Sequence, residues 1–297
     1  AVLATAVMSA HERNDIDYFP LTVDYEERYY AAGRIGGSRF LRREGRPSER
    51  ATLSGRVVDR TIRPLFPQYM RNEVQVVITV LALGNEKPDM VAVNAASLAL
   101  GVSDIPWGGP VSAIRLAKEN FEMLACGKDN TINMIEVGAK GASEDEITNG
   151  FVEATLEHGK ILEFQKKIIA EMGKTKKSVA RPELPAELAA LFESDIAPKL
   201  SGAVFCGVAG KDKIHELQDE WLKRIQGDTL NQGSQGVAFL NTIKPMATRF
   251  FEDKVDAEIH RGAVEENMRA DGRAFDTIRP LFAKAGGVSP MLHGSGI

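Results

Sequence analysis

Cysteine is almost missing from this chain: 297 residues contain two, Cys126 and Cys206. That excludes a disulfide framework and a thiolate metal site, and it fits a reducing, intracellular compartment. Histidine is sparse as well. His11, His158, His215, His260 and His293 include no pair at metal-ligand spacing, which leaves no zinc site to propose. Long apolar runs are absent, with none near the ~20 residues that a bilayer span requires. Excess positive charge is absent too. A formal net charge of −4 and a pI of about 5.9 argue against a protein that coats nucleic acid along its whole surface. No short internal repeat marks a solenoid. The first residues, AVLATAVMSAHER, lack a basic leader and an initiator Met. They read as a strand rather than a signal peptide, and the sequence reads as a piece of a longer chain.

What is present is ordinary in bulk and unusual in distribution. Hydrophobic content of 43% and charged content of 26% suit a soluble globular protein. The length suits two domains, or one and part of another. Between positions 39 and 63, however, eight arginines face three acidic residues, a local balance of +5. The remainder of the chain must then carry −9. Segregation of this size is an electrostatic footprint for an anionic partner.

The arginines fall into two stretches. RIGGSRFLRREGRPSER (34–50) is rich in glycine and arginine and reads as a loop, with Pro47 closing it. Guanidinium groups suit phosphate because they present a planar donor fork that stays charged. Phe40 beside Arg42 and Arg43 adds a surface on which a base can stack, while Leu41 offers apolar contact without a π-face. Arg46 lies further along the same loop. TLSGRVVDRTIRPLFP follows, and its spacing predicts a helix stopped by Pro64. Arg56, Arg60 and Arg63, at i, i+4 and i+7, then share one face. A plain salt-bridged surface is the competing reading: Asp59, Glu44 and Glu49 are close enough in sequence to neutralise neighbours.

Along the rest of the chain, strand-like and helix-like stretches alternate up to about residue 125. VLATAV, VQVVITVLAL (74–83), VSAIRLA and INMIEVGA (132–139) predict strands. VAVNAASLALGVSD (91–104) predicts a helix packed closely on a sheet, and IPWGGP a turn in which Trp107 packs. Residues 118–130 fit no element and read as a break in the pattern. SEDEITNGFVEATLEHGKILEFQKKIIAEMG (143–173) predicts a long helix that Ser143 and Glu146 cap. GKTKKSVARPELP reads as a charged tether in which Lys174, Lys176 and Lys177 are solvated. From about 186 to 268 the pattern is helical, and MRADGRAFDTIRPL is turn-like. The expected architecture is α/β, followed by a small all-α domain.

Read in order, FPLTVDYEERYYAAGRI, FLRREGRPSERATLSGRVVDRTIRPLFP, NEVQVVITVLAL and NAASLALGVSDIPWGGPVSAIRL strongly resemble the first RNase PH-like domain of the polynucleotide phosphorylase family. DGRAFDTIRPL and LHGSGI are similar to the opening of that family's second such domain. The resemblance is most specific over 19–115 and weakest in the helical region. It implies an α/β (α+β) RNase PH-like domain of the ribosomal protein S5 domain 2-like type over 1–177. An all-helical domain with its linker then occupies 178–267, and the start of a second RNase PH-like domain 268–297.

The family resemblance also implies a function. Such proteins are 3′-to-5′ phosphorolytic exoribonucleases that act in mRNA decay. They degrade single-stranded RNA with inorganic phosphate, release nucleoside diphosphates and require magnesium. They form homotrimers that thread RNA through a pore, bind other RNA-degradation proteins in some cases, and work in the cytoplasm or, in eukaryotes, an organelle. Phe40, Leu41, Arg42 and Arg43 match the family's aromatic and arginine loop at the pore constriction, with Leu41 where a second aromatic is usual. Arg56, Arg60 and Arg63 match family arginines that face the RNA path and the active-site side of the trimer, and Arg46 is counted with them as RNA-binding. Catalytic and metal-binding residues are implied for the second domain, so none is assigned within this chain, which is expected to be inactive on its own. Two rivals stand beside this reading: an inert RNA-binding ring or scaffold subunit, and a single RNase PH or exosome-ring subunit. The helical region and the DGR restart argue against the second.

Overall fold

The computed structural model describes residues 1–13, 16, 18–40, 45–85, 87–179, 183–207, 211–230, 234–287, 289–294 and 296. The chain divides into two compact units, Ala1–Arg181 and Pro182–Ile297.

The first unit is built on two three-stranded sheets. In the first sheet, β1 (Val2–Glu12) and β2 (Leu21–Glu27) flank β3 (Asn72–Val80). The β-branched run predicted at 74–83 becomes this central strand. Asn72, Val74, Val76, Ile78 and Val80 all turn to the buried face, the period-2 alternation of a sheet covered on one side. β1 pairs antiparallel with β3, whereas β2 pairs parallel. A parallel pair needs a crossover, and here the crossover carries the arginine loop and helix α1 (Glu49–Ile62). The topology therefore lays the basic segment against the sheet.

Helix α1 starts at Glu49, so Glu49 and Arg50, read from the sequence as the end of the loop, belong to its first turn. Ser48 is the cap, its hydroxyl accepting from the Ala51 amide at 3.1 Å, one of the donors that a helix start leaves over. Ala51, Val57, Val58 and Ile62 are buried. Gly55 lets the helix come close to β2: a Cβ there would lie 3.3 Å from the Tyr25 Cβ. The helix ends at Ile62, and a 3₁₀ turn over Arg63–Leu65 contains Pro64.

The second sheet is an antiparallel meander of β4 (Ser112–Ala117), β5 (Phe121–Lys128) and β6 (Thr131–Ala139). It corrects the sequence reading at 118–130. FEMLACGK is the middle strand of the sheet, continuous with its neighbours and buried at five consecutive positions, Met123 to Gly127. A strand buried on both faces has no alternation, so its pattern was not visible. Helix α2 (Asp89–Val102) packs between the sheets, and α3 (Glu144–Met172) covers the second one. Ser143 and Glu146 form the expected capping box, and the backbone amide of Ser143 is the main cause that lowers the Glu146 pKa.

A buried polar network ties α2, β4 and α3. The Ser97 hydroxyl donates to Gln165 Oε1 at 2.6 Å and accepts from the Val111 amide at 2.9 Å. Gln165 donates to the Val111 carbonyl at 2.8 Å. Arg115 reaches Asp89 at the start of α2 and Glu122 on β5, both at 2.5 Å. Burial opposes its charge, and the two carboxylates outweigh that and raise its pKa.

The segment after α3 corrects the picture of a solvated tether. The Lys176 ammonium donates to the carbonyls of Leu100, Gly101 and Ser103 at 2.6, 3.0 and 2.7 Å, closing the C-terminal end of α2. Lys177 pairs with Asp104 at 2.9 Å. A carbonyl-rich helix end is the place where a lysine next to an apolar surface finds partners, and the sequence alone does not say which lysine reaches it.

The second unit packs α4 (Ala186–Asp195), α5 (Ala197–Val204), α6 (Asp212–Leu230) and α7 (Ser234–Glu265). Its core centres on Phe192, edge-on to Trp221 at 5.2 Å between ring centroids and to Phe250 at 5.1 Å. Trp221 donates its indole N–H to the Ala247 carbonyl at 3.1 Å. After α7, Asp271 accepts from Arg269 and Arg273 at 3.0 and 2.6 Å. Those bonds, those of Arg273 foremost, hold its carboxyl at about 2.

Candidate nucleic-acid interface

The crossover from β2 to β3 gathers the candidate residues on the first unit. Phe40 is 72% exposed, an unusual placing for a phenylalanine. The Arg39 guanidinium sits 5.0 Å from its ring centroid, within cation–π range. Leu41, Arg42 and Arg43 lie outside the described residues. Arg46, Arg56 and Arg60 are exposed. None of their side chains bonds another described residue, so three permanent positive charges stand uncompensated along and just before α1.

Arg63 behaves differently. It lies on the same helical face but is half-buried. Its Nη2 lies 2.6 Å from Asp59 Oδ1 and its Nε lies 3.0 Å from Oδ2. Its other donors reach the carbonyls of Leu21 at 3.1 Å and Phe19 at 3.4 Å. A guanidinium offers five N–H groups, and these bonds tie Arg63 to the entry of β2. The competing salt-bridge reading is thus realised at Asp59 and Arg63 and not at Arg56 or Arg60.

Two hollows flank this helix. The first, of about 300 Å³, is lined by Asp24, Thr52, Arg56 and Asp59 among others. The second, of about 350 Å³, is lined by Glu26, Glu27, Arg28, Tyr29, Arg46 and Ser48 among others. Tyr25, Pro47 and Ala51 line both, so the two are neighbours on one surface. Burial, reinforced by Glu27 and Asp89, pushes the Tyr25 phenol up to about 12. The sequence reading used YEERYY only within the stretch that carries the family resemblance and passed over Glu27 and Tyr29. The available cue was the alternation of charge and aromatic just before a basic loop.

The chemistry of the remaining reactive groups is quiet. Burial pushes the Cys126 thiol up to about 12, which makes it a core residue and no nucleophile. His158 is buried, its Nδ1 2.6 Å from the Ser112 hydroxyl, and burial lowers its pKa. Among the described residues no group of three or more His, Cys, Asp or Glu could hold a metal ion. What the surface can do is bind a polyanion: exposed arginines and an exposed aromatic provide charge and stacking, the two elements of a single-strand path.

The first sheet, the crossover helix and the basic surface all lie within the first 106 residues of the chain. Residues 1–106 match the 3′ exoribonuclease family, domain 1. Over its whole length the chain is similar to proteins named polyribonucleotide nucleotidyltransferase. It is 36% identical over 316 residues to that of Pseudothermotoga lettingae and 37% identical over 318 residues to that of Halalkalibacterium halodurans, covering 100% of this chain and 43% of each relative. That of Thermotoga neapolitana is 36% identical over 317 residues, 44% of its length. The chain thus spans less than half the length of these relatives. A crystal structure of rice Rrp46 aligns over 57% of this chain and 83% of its own, at 13% identity and a TM-score of 0.45, too distant a likeness to bear on function.

Proposed function

We propose that this chain is the RNA-gathering portion of a phosphorolytic 3′-to-5′ exoribonuclease, a polyribonucleotide nucleotidyltransferase. The observation that carries the proposal is the row of unpaired Arg46, Arg56 and Arg60 on a domain of the RNase PH type. Single-stranded RNA lies along this face, with Phe40, Leu41, Arg42 and Arg43 forming the constriction. Arg63 shapes the face from beneath. The divisions 1–177, 178–267 and 268–297 correspond to a first RNase PH-like domain, a linker with a helical domain, and the opening of a second RNase PH-like domain.

In the reaction, an oxygen of inorganic phosphate attacks the phosphorus that links the last nucleotide to the chain. The bond to the penultimate 3′-oxygen breaks, that oxygen takes a proton, and the last nucleotide leaves as a nucleoside diphosphate. Phosphate is the nucleophile, so no serine, cysteine or histidine of this chain need serve. The part of these residues is to hold and orient the strand, a contribution of position rather than of covalent chemistry. Magnesium, when bound, supplies charge neutralisation at the reacting phosphates. The described residues offer no cluster that fits it, and its site is assigned to the portion of the protein that this chain does not cover. The whole protein is proposed to be a cytoplasmic homotrimer that serves mRNA decay. No described helix is long and apolar enough to cross a membrane.

The test uses the full-length protein with a single-stranded homopolymer RNA, magnesium and inorganic phosphate. Nucleoside diphosphates released only when phosphate is present are the expected result. Monophosphates released without phosphate would indicate a hydrolase and overturn the proposal. Tight, salt-sensitive RNA binding without products would favour a scaffold.

A further inference from the structure

We infer that the hollow of about 350 Å³ in front of α1 is a subsite for one nucleotide of single-stranded RNA, with the phosphate on Arg46, the base against Tyr29 and the ribose 2′-hydroxyl donating to Glu27. This rests on the RNA-binding reading and adds to it the part of the path that distinguishes RNA from DNA.

The volume falls in the range of about 300–1,000 Å³ typical of small-ligand sites. Its walls carry charges of both signs, and only some of them are compensated. Glu26 is held by Arg28 at 3.1 Å. Glu27 and Arg46 line the same hollow, and neither side chain bonds another described residue. A hollow lined by both a carboxylate and a guanidinium that do not pair with each other is a poor cradle for free phosphate, because the carboxylate repels it. It suits a ligand that brings an anion and a hydrogen-bond donor together. A ribonucleotide does so, and its 2′-hydroxyl is the group that tells RNA from DNA.

Tyr29 supplies the third element. It sits in the 3₁₀ turn Tyr29–Ala32 just after β2, lines the hollow and is 44% exposed, so part of its side chain is accessible there. Stacking on such a ring is available to every base. Position supports the assignment as well. Tyr25, Pro47 and Ala51 form a boundary shared with the hollow that Arg56 lines. A strand whose phosphate rests on Arg46 can therefore place the next one near Arg56, and the subsite continues the proposed path instead of competing with it. The start of α1, represented by Ser48 and Ala51 in the wall, adds its partial positive charge on the side of the phosphate.

The experiment measures binding of a short fluorescent oligouridylate and of the matching oligodeoxyuridylate to the 297-residue chain across a salt series, with thermal melting as a folding check. Tyr29→Ala is expected to weaken both about tenfold, the scale of one stacked base, and Tyr29→Phe to restore binding. Glu27→Ala is expected to weaken RNA several-fold and leave DNA unchanged, closing the gap between them. That ratio is read within one protein preparation and so does not depend on full stability of the variant. Arg46→Ala is expected to weaken both and to flatten the salt slope by about 0.7. If Tyr29→Ala and Glu27→Ala bind both oligonucleotides like the unsubstituted chain while Arg56→Ala with Arg60→Ala binds weakly, the subsite is wrong and the RNA reading survives. If the unsubstituted chain binds no RNA, both fall.

Discussion

Asp59 and Arg63, one helical turn apart at the end of α1, are locked together by two hydrogen bonds of 2.6 and 3.0 Å. The pair divides the basic face by role. Arg56 and Arg60 remain open to a ligand, whereas Arg63 fastens the end of the crossover helix to the strand that precedes it. Replacing Arg63 with alanine is therefore expected to lower stability by about 1–2 kcal/mol, a value reduced for its partial exposure. The salt slope of RNA binding should stay nearly unchanged. Thermal melts alongside a salt titration check this, and a flattened slope with an unaltered melt would reverse the assignment.

His158 links stability to pH. It is 1% exposed, and its Nε2 is buried without a hydrogen-bond partner. Burial lowers its folded-state pKa, so below about 6.5 the unfolded chain binds a proton that the folded chain resists. The stability that depends on a neutral His158 is complete above that pH and is lost as the pH falls toward the folded value. The limiting slope is about 1.4 kcal/mol per pH unit for this one group. Melting temperatures between pH 8 and pH 5 should fall less steeply for His158→Gln than for the unsubstituted protein, and equal slopes would refute the assignment.

Gln165 holds α3 to α2 and β4 through bonds to Ser97 and Val111. Gln165→Leu keeps the bulk and leaves the Ser97 hydroxyl and the Val111 carbonyl short of partners. The cost is expected to be about 1–3 kcal/mol for each group stranded, readable as a lower denaturation midpoint with an unchanged denaturant slope. A loss below about 0.5 kcal/mol would mean that the network adds specificity and little stability.

Much of this fold was legible in the sequence because its elements are written in two simple periods. The β-branched run VQVVITVLAL, the arginine spacing before Pro64, and the capping pair Ser143 and Glu146 point to β3, α1 and α3 from residues alone. The strand FEMLACGK was not legible, because burial on both faces erases alternation, and the pairing that defines it comes from β4 and β6. The candidate face was legible as charge: the arginine spacing in α1 is visible on the page. What each arginine does was not, since the bonds of Arg63 to Phe19 and Leu21 depend on residues more than forty positions away. The hollow that contains Glu27, Tyr29 and Arg46 likewise arises where the end of β2 meets the start of α1, and spacing along one segment cannot show it.

Lys176 makes the same point and gives a further test. Its ammonium closes three carbonyls at the end of α2. Lys176→Met retains the stem and removes the donors. Hydrogen exchange of the amides of Lys174 and Lys177, which donate to Val102 and Asp104, is expected to quicken by tenfold or more, the equivalent of about 1.4 kcal/mol. Unchanged exchange would show that the backbone bonds alone hold the strap.

The claim on which the account rests is that the open arginines of α1 bear RNA phosphates, and the most direct measurement is the salt dependence of RNA affinity for Arg56→Ala with Arg60→Ala. Each lost phosphate contact removes about 0.7 from the slope on a single strand, so the double variant should bind more weakly and show a slope flatter by about 1.4. A variant that binds RNA with unaltered affinity and unaltered slope would contradict the account.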